Sequence, residues 1–207
     1  NGLGLPENVY VIGTVNMDET THPFSRKVLD RANTIEFSEI DLMSGFIDPH
    51  ERIDIKELDL NNEVFCPRYL TMKDLLEDDV DISKDVAERL QKLNVILSKA
   101  GCQVGYRIRD EAAIYMKYVS DFGGDDLNPE TGFERVVLQK ILPRIQGSSY
   151  QIRTVLEDLL AEFLPESREL SFDEEDYTLK MQSLIQDKGA LIRKIGNILV
   201  RFIEDGF

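Results

Sequence analysis

Apolar positions along this chain change their period near its middle. From Ser83 onward they recur at helical spacing. In "SKDVAERLQKLNVILSKAG" Val86, Leu90, Leu93 and Leu97 fall at i, i+4, i+7 and i+11 on one face. Ser83 suits the N-cap of this segment and Gly101 suits its C′ position. "YRIRDEAAIYMKYVSDF" repeats the pattern with Ile108, Ala112, Tyr115 and Val119. After the turn-rich "GGDDLNPETG", "FERVVLQKILPRIQGSS" predicts a third helix that Pro143 should end or kink. "SYQIRTVLEDLLAEFL" predicts a fourth. "REL" and "SFDEEDYT" make a polar break, in which the acid run "DEEDY" reads as a solvated helix start. The last helix, in "KGALIRKIGNILVRFIED", carries Leu191, Ile195, Ile198 and Phe202 on one face.

The first half reads differently. "NGLGLPEN" is a Gly- and Pro-rich loop. "VYVIGTV" is β-branched and aromatic without polar alternation, as in a strand buried on both faces. "FSRKVLDRA" is a short helical pattern that places Phe24, Val28 and Leu29 together, and "NTIEFSEI" returns to strand character. Residues 43–82 mix acids, prolines and short apolar pieces, with one short helix expected near 71–77. The expectation is an α/β fragment over 1–42, a connector over 43–82, and an all-helical bundle over 83–207, predominantly helical as a whole.

Charge narrows the partners. The 207 residues hold 24 Lys and Arg against 39 Asp and Glu, a net charge of −15. A chain this acidic is a poor nucleic-acid binder on its own, because phosphate neutralisation needs Lys and Arg. Two cysteines, Cys66 and Cys102, are too few for a disulfide framework, which points to a reducing cytoplasm. With His22 and His50 they make four potential zinc ligands, but without a CxxC or HxxxH pairing. No apolar run reaches the roughly 20 residues of a membrane span. No signal peptide opens the chain, and its first residue is Asn rather than Met, so we expect a piece of something longer.

One constellation carries chemistry. Asn16 follows the first apolar run, and Arg26 and Arg31 both lie in the short helical pattern "FSRKVLDRA" beyond it. An amide at a strand end donates and accepts at once, so it can orient a water in a phosphate site. Arginine binds phosphate oxygens bidentately and offsets charge developing in phosphoryl transfer. The same residues also suit a plain turn and a solvated helix face, and the residue pattern alone leaves both readings open.

The stretch "VIGTVNMDETTHPFSRKVLDRANTIEF" resembles the second half of an AAA+ nucleotide-hydrolysing domain, most closely the McrB branch of methylation-dependent restriction systems. The resemblance implies the end of a parallel-sheet AAA+ core followed by a helical lid. It implies that Asn16 is the sensor 1 residue, and that Arg31 is an arginine finger for a neighbouring subunit, with Arg26 a second basic candidate. "VGYRIRDEAAIYM" is similar to the lid helix bearing a sensor 2 arginine, with Arg107 the first match and Arg109 the second. It further implies a ring, by family a hexamer, that hydrolyses ATP or GTP with Mg2+, a McrC-like nuclease subunit as partner, and DNA contacted only indirectly, through other domains. The chain departs from the McrB type in having "MDET" after the Asn and "DRAN" at the finger.

Absences shape the same expectation. Nothing matches GxxxxGK[ST], whose amides and lysine cradle phosphates. Asp18 and Glu19 read as solvated loop acids rather than magnesium ligands. The phosphate-gripping half is therefore expected before Asn1, and this chain alone is expected not to turn over nucleotide. The alternative from a different class is a non-catalytic helical interaction or scaffold module, a degenerate relative of the same scaffold.

Overall fold

The structure, a computed structural model, describes residue 4 and residues 9–15, 24–37, 70–124, 127–172 and 175–204. The chain divides into two units, one formed by 1–23 and 35–70 and the other by 24–34 and 71–207. All helices among the described residues belong to the second unit.

The helical half follows the periodicity. After the short α1 (Arg26–Leu29) come α2 (Met72–Asp78), α3 (Val80–Ser98) and α4 (Tyr106–Phe122). Helix α2 lies where the short helix near 71–77 was expected, and its N-cap Thr71 forms a reciprocal capping box with Asp74. Helix α3 buries Val86, Leu90, Leu93 and Leu97, the face read from the sequence. It starts earlier than expected, with Asp79 at its N-cap, so Ser83 is an interior buried residue rather than a cap. The chain leaves α3 through Gly101 at φ 63°, where the Cys102 N–H reaches the Leu97 carbonyl at 3.0 Å. The Asn94 side chain then holds both polar groups of Val104, donating to its carbonyl at 3.0 Å and accepting its N–H at 2.8 Å. That bidentate grip places the start of α4 against α3.

Helix α5 (Pro129–Val136) opens on Asn128, whose Oδ1 accepts from the N–H groups of Glu130 and Thr131. The expected third helix does not continue as one α-helix. It widens into a π-helical turn over Val137–Ile141 and tightens into a 3₁₀ turn over Leu142–Arg144. Pro143 supplies the reason: its ring clashes with the carbonyl four residues back, and it has no N–H to offer that carbonyl. The freed carbonyl is that of Gln139, and the Thr34 N–H donates to it at 3.4 Å. A local proline thus ties a distant segment to the bundle.

Helix α6 (Tyr150–Phe163), a 3₁₀ turn (Pro165–Glu169), α7 (Tyr177–Ile185) and α8 (Ala190–Glu204) complete the unit. Helix α4 packs on α2, α3 and α5, helix α8 packs on α6 and α7, and α3 meets α6 between the two groups. In α8 the buried stripe runs through Leu191, Ile195, Leu199 and Phe202; Ile198, expected inside, is only half-buried. Gly196 is where α8 meets α7: a Cβ there would stand 2.7 Å and 2.9 Å from Ile185 side-chain atoms and 3.3 Å from the Met181 sulfur.

Neither expected strand is formed among the described residues; residues 38–40 of the second lie outside them. Residues 9–15 and 33–37 have no regular structure, and Val11 and Ile12 are 86% and 91% exposed. A strand exists only by pairing its backbone with another strand, and among the described residues none pairs with either segment. Predominantly helical architecture is therefore what the structure supports, without a sheet among the described residues. No helix among them is long and apolar enough to cross a membrane.

Two predictions follow from the packing. Gly196→Val should lower unfolding free energy by about 1–3 kcal/mol despite valine's better helix propensity, measured by urea denaturation. Burial, then the neighbouring Glu130 charge, holds the Glu134 carboxyl above its usual range, opposed by Arg89. The fold therefore disfavours ionised Glu134, and stability falls as pH rises from the ordinary carboxylate range through the raised value. Glu134→Gln should raise the melting temperature at pH 7, with the gain vanishing at or below about pH 4.

Candidate functional site

The segment 24–34 is held on the helical unit at several points. Leu29 is buried beneath it. The Arg26 guanidinium donates to the Gly101 carbonyl at 2.8 Å and lies 3.9 Å from the Cys102 sulfur. The Arg144 guanidinium, 7% exposed, pairs with the Asp30 carboxylate and donates to the Gln103 carbonyl at 3.0 Å. Burial, and then the Arg26 charge, work against the Arg144 charge. The Asp30 carboxylate works for it, and arginine stays protonated across the physiological range. The Thr34 bond to the π turn closes the far end.

Beside this segment lies a cleft of about 390 Å³, within the usual size for small-molecule sites. Arg31 and Asn33 form one wall, Val136, Gln139 and Lys140 a second, and α4 the floor through Glu111, Ala112, Ile114, Tyr115 and Tyr118. The Lys140 ammonium donates to Glu111 Oε2 at 2.5 Å; Lys140 is 7% exposed and Glu111 38%. Arg31 is exposed, and no side chain among the described residues pairs with its guanidinium. The arrangement is donor-rich on an apolar floor, and suits a group bearing acceptor oxygens.

The site residues expected from the sequence fall in different places. Asn16, with Asp18 and Glu19, lies outside the described residues. Arg31 lines the cleft, whereas Arg26 is engaged with the loop after α3. Arg107, in the first turn of α4, is exposed. Arg109 pairs with Asp110 at 2.6 Å and stacks 4.9 Å above the Tyr106 ring. Neither Arg107 nor Arg109 lines the cleft. Sequence reasoning passed over Lys140, Glu111, Asp30 and Arg144. The signal was present: Phe133, Val137, Lys140 and Arg144 follow one another at i, i+4, i+7 and i+11, so both cations fall on a buried stripe.

The helical region also recurs elsewhere as a unit. A family model described as a domain of unknown function, DUF8727, matches residues 57–207. The chain belongs to this family. No curated protein and no solved structure matches it. The DUF8727 region contains the floor and the π-turn wall of the cleft, while Arg31 and Asn33 come from the chain before it. Among the described residues no cluster of His, Cys, Asp and Glu could hold a metal ion.

If Arg144 is what anchors the segment, Arg144→Met should speed amide hydrogen exchange at Leu29 and Asp30 by at least about tenfold, a loss of about 1.4 kcal/mol of local protection. Exchange in α6 and α8 should stay unchanged in the same mass-spectrometric experiment.

Proposed function

We propose that this chain is the C-terminal portion of an AAA+ nucleoside-triphosphatase motor resembling the McrB subunit of restriction systems. In this reading residues 1–42 end the α/β core, and the DUF8727 helices form the lid. Asn16 orients the attacking water in its own subunit's site, and Arg31 reaches the site of a neighbour in a ring, by family a hexamer. Arg107 reads the phosphates from the lid. ATP or GTP with Mg2+ is bound by the intact protein, in the cytoplasm, with a McrC-like nuclease subunit as partner and DNA contacted through other domains.

The observation that supports this reading is the contrast between arginines. Arg26, though exposed, and Arg109 are engaged by neighbours within the helical unit, while Arg31 and Arg107 are exposed and have no side-chain partner among the described residues. A guanidinium carried on a clamped segment and left without a partner among the described residues suits contact with an external phosphate. Arg26 and Arg109 then become structural, and Arg31 and Arg107 carry the proposed roles.

One observation favours a second reading. The family model begins at residue 57 and leaves out the Asn16–Arg31 stretch. A non-catalytic helical interaction or scaffold module, degenerate in its chemistry, would need only those helices. The natural gene decides between the two. A phosphate-binding loop and a strand ending in two acids, within about 100–200 residues before Asn1, support the motor; their absence sinks it.

In the intact protein, Arg31→Ala should lower nucleotide hydrolysis by about 10³-fold or more while nucleotide binding persists, measured by phosphate release and equilibrium binding. Near-wild-type turnover would remove Arg31 from the finger role. Residues 1–207 alone should show no turnover.

A further inference from the structure

The Arg31–Lys140 cleft has more donors than its own residues use. An ammonium has three N–H donors, and the one hydrogen bond that Lys140 makes among the described residues goes to Glu111. Its side chain is 7% exposed, so water satisfies little of the remainder. A buried donor without an acceptor is costly. Across the cleft the Arg31 guanidinium adds five more donors. Among the described residues the two cations share the cleft lining with one carboxylate, a local net positive charge in a chain of net charge −15. Below them the floor is Ala112, Ile114 and the Tyr115 ring.

The walls are built rather than incidental. The π turn that carries Gln139 and Lys140 exists because of Pro143, and the carbonyl that Pro143 frees holds the Arg31 segment in place. A π turn in an otherwise regular helix is a frequent mark of a functional site. We infer that this cleft binds a small ligand with one oxyanionic group, a carboxylate or a phosphate ester, on a flat apolar body. The oxyanion sits between Arg31 and Lys140, taking the donors that Glu111 leaves free, and the apolar body lies on the α4 floor. This site is complete within one chain, and it stands on the cleft alone. Its test is independent of nucleotide hydrolysis, so it can fail while the motor reading survives, and the reverse.

The test is calorimetric titration of the 207-residue chain with benzoate, phenyl phosphate, inorganic phosphate and neutral benzamide. Saturable binding of benzoate or phenyl phosphate is expected, and whichever binds tighter identifies the oxyanion. Benzamide should bind at least about tenfold more weakly than benzoate, and inorganic phosphate more weakly than phenyl phosphate by a similar factor. Arg31→Gln, at an exposed position that does not threaten the fold, should weaken the bound probe by about 10- to 100-fold. Lys140→Met should do the same, and Glu111→Gln, which removes the competing carboxylate, should strengthen binding. No saturable binding of either aromatic oxyanion overturns the inference. So does binding that Arg31→Gln leaves unchanged, or benzamide binding as tightly as benzoate.

Discussion

Everything near the proposed chemistry hangs on one buried guanidinium. Arg144 sits at the seam where the segment 24–34 meets the 3₁₀ turn after α5, and its charge is tolerated there only because acceptors converge on it. Removing one partner of a buried charge leaves the other uncompensated, which is far more damaging than never having buried it. Asp30 and the Gln103 carbonyl are those partners, one from the N-terminal segment and one from the loop before α4. The residue immediately after Asp30 is Arg31, so the anchor and the exposed cation are adjacent in sequence while playing opposite parts. One arginine is consumed by the fold so that another can be held out of it.

The bundle around that seam relies on polar grips at loops more than on long uninterrupted helices. Asn94 holds Val104, Asn128 caps α5, and Arg89 stacks 4.0 Å over Phe133 while pairing with Glu130. These contacts set where α4 and α5 begin, and hence the width of the cleft between α4 and the π turn. In a strongly acidic chain, positive charge is concentrated by placing it where carboxylates are few. Among the described residues the cleft does so with two cations and a single carboxylate, Glu111.

The helices were legible because burial of one face imposes a period that survives without knowledge of neighbours. Val86, Leu90, Leu93 and Leu97 needed no structure to be placed. The apolar run at 9–15 misled, because a strand depends on a partner whose position no local pattern encodes. Ser83 misled for a related reason: a serine suits a cap, but Asp79 lies one turn earlier and suits it too. Of the candidate site, Arg31 was chosen from the sequence, while Lys140 and Arg144 were passed over although their spacing set them on the stripe of Phe133 and Val137. Lys140 and Arg144 looked like interruptions of an apolar stripe, when in the fold they belong to it.

The π turn has a consequence of phase. Each residue advances an α-helix by about 100°, since a turn takes 3.6 residues. One residue more per turn delays that advance, so side chains after Val137 arrive later around the axis than in a straight α-helix. The turn therefore acts as an angular offset between the first half of this helix, which packs Phe133 and Val136, and the second half, which carries Lys140 and Arg144. Straightening 137–141 to the α-helical advance with the same number of residues would rotate both cations away from their present neighbours together. The cleft and the anchor thus share one mechanical setting, and the chain cannot vary one without the other.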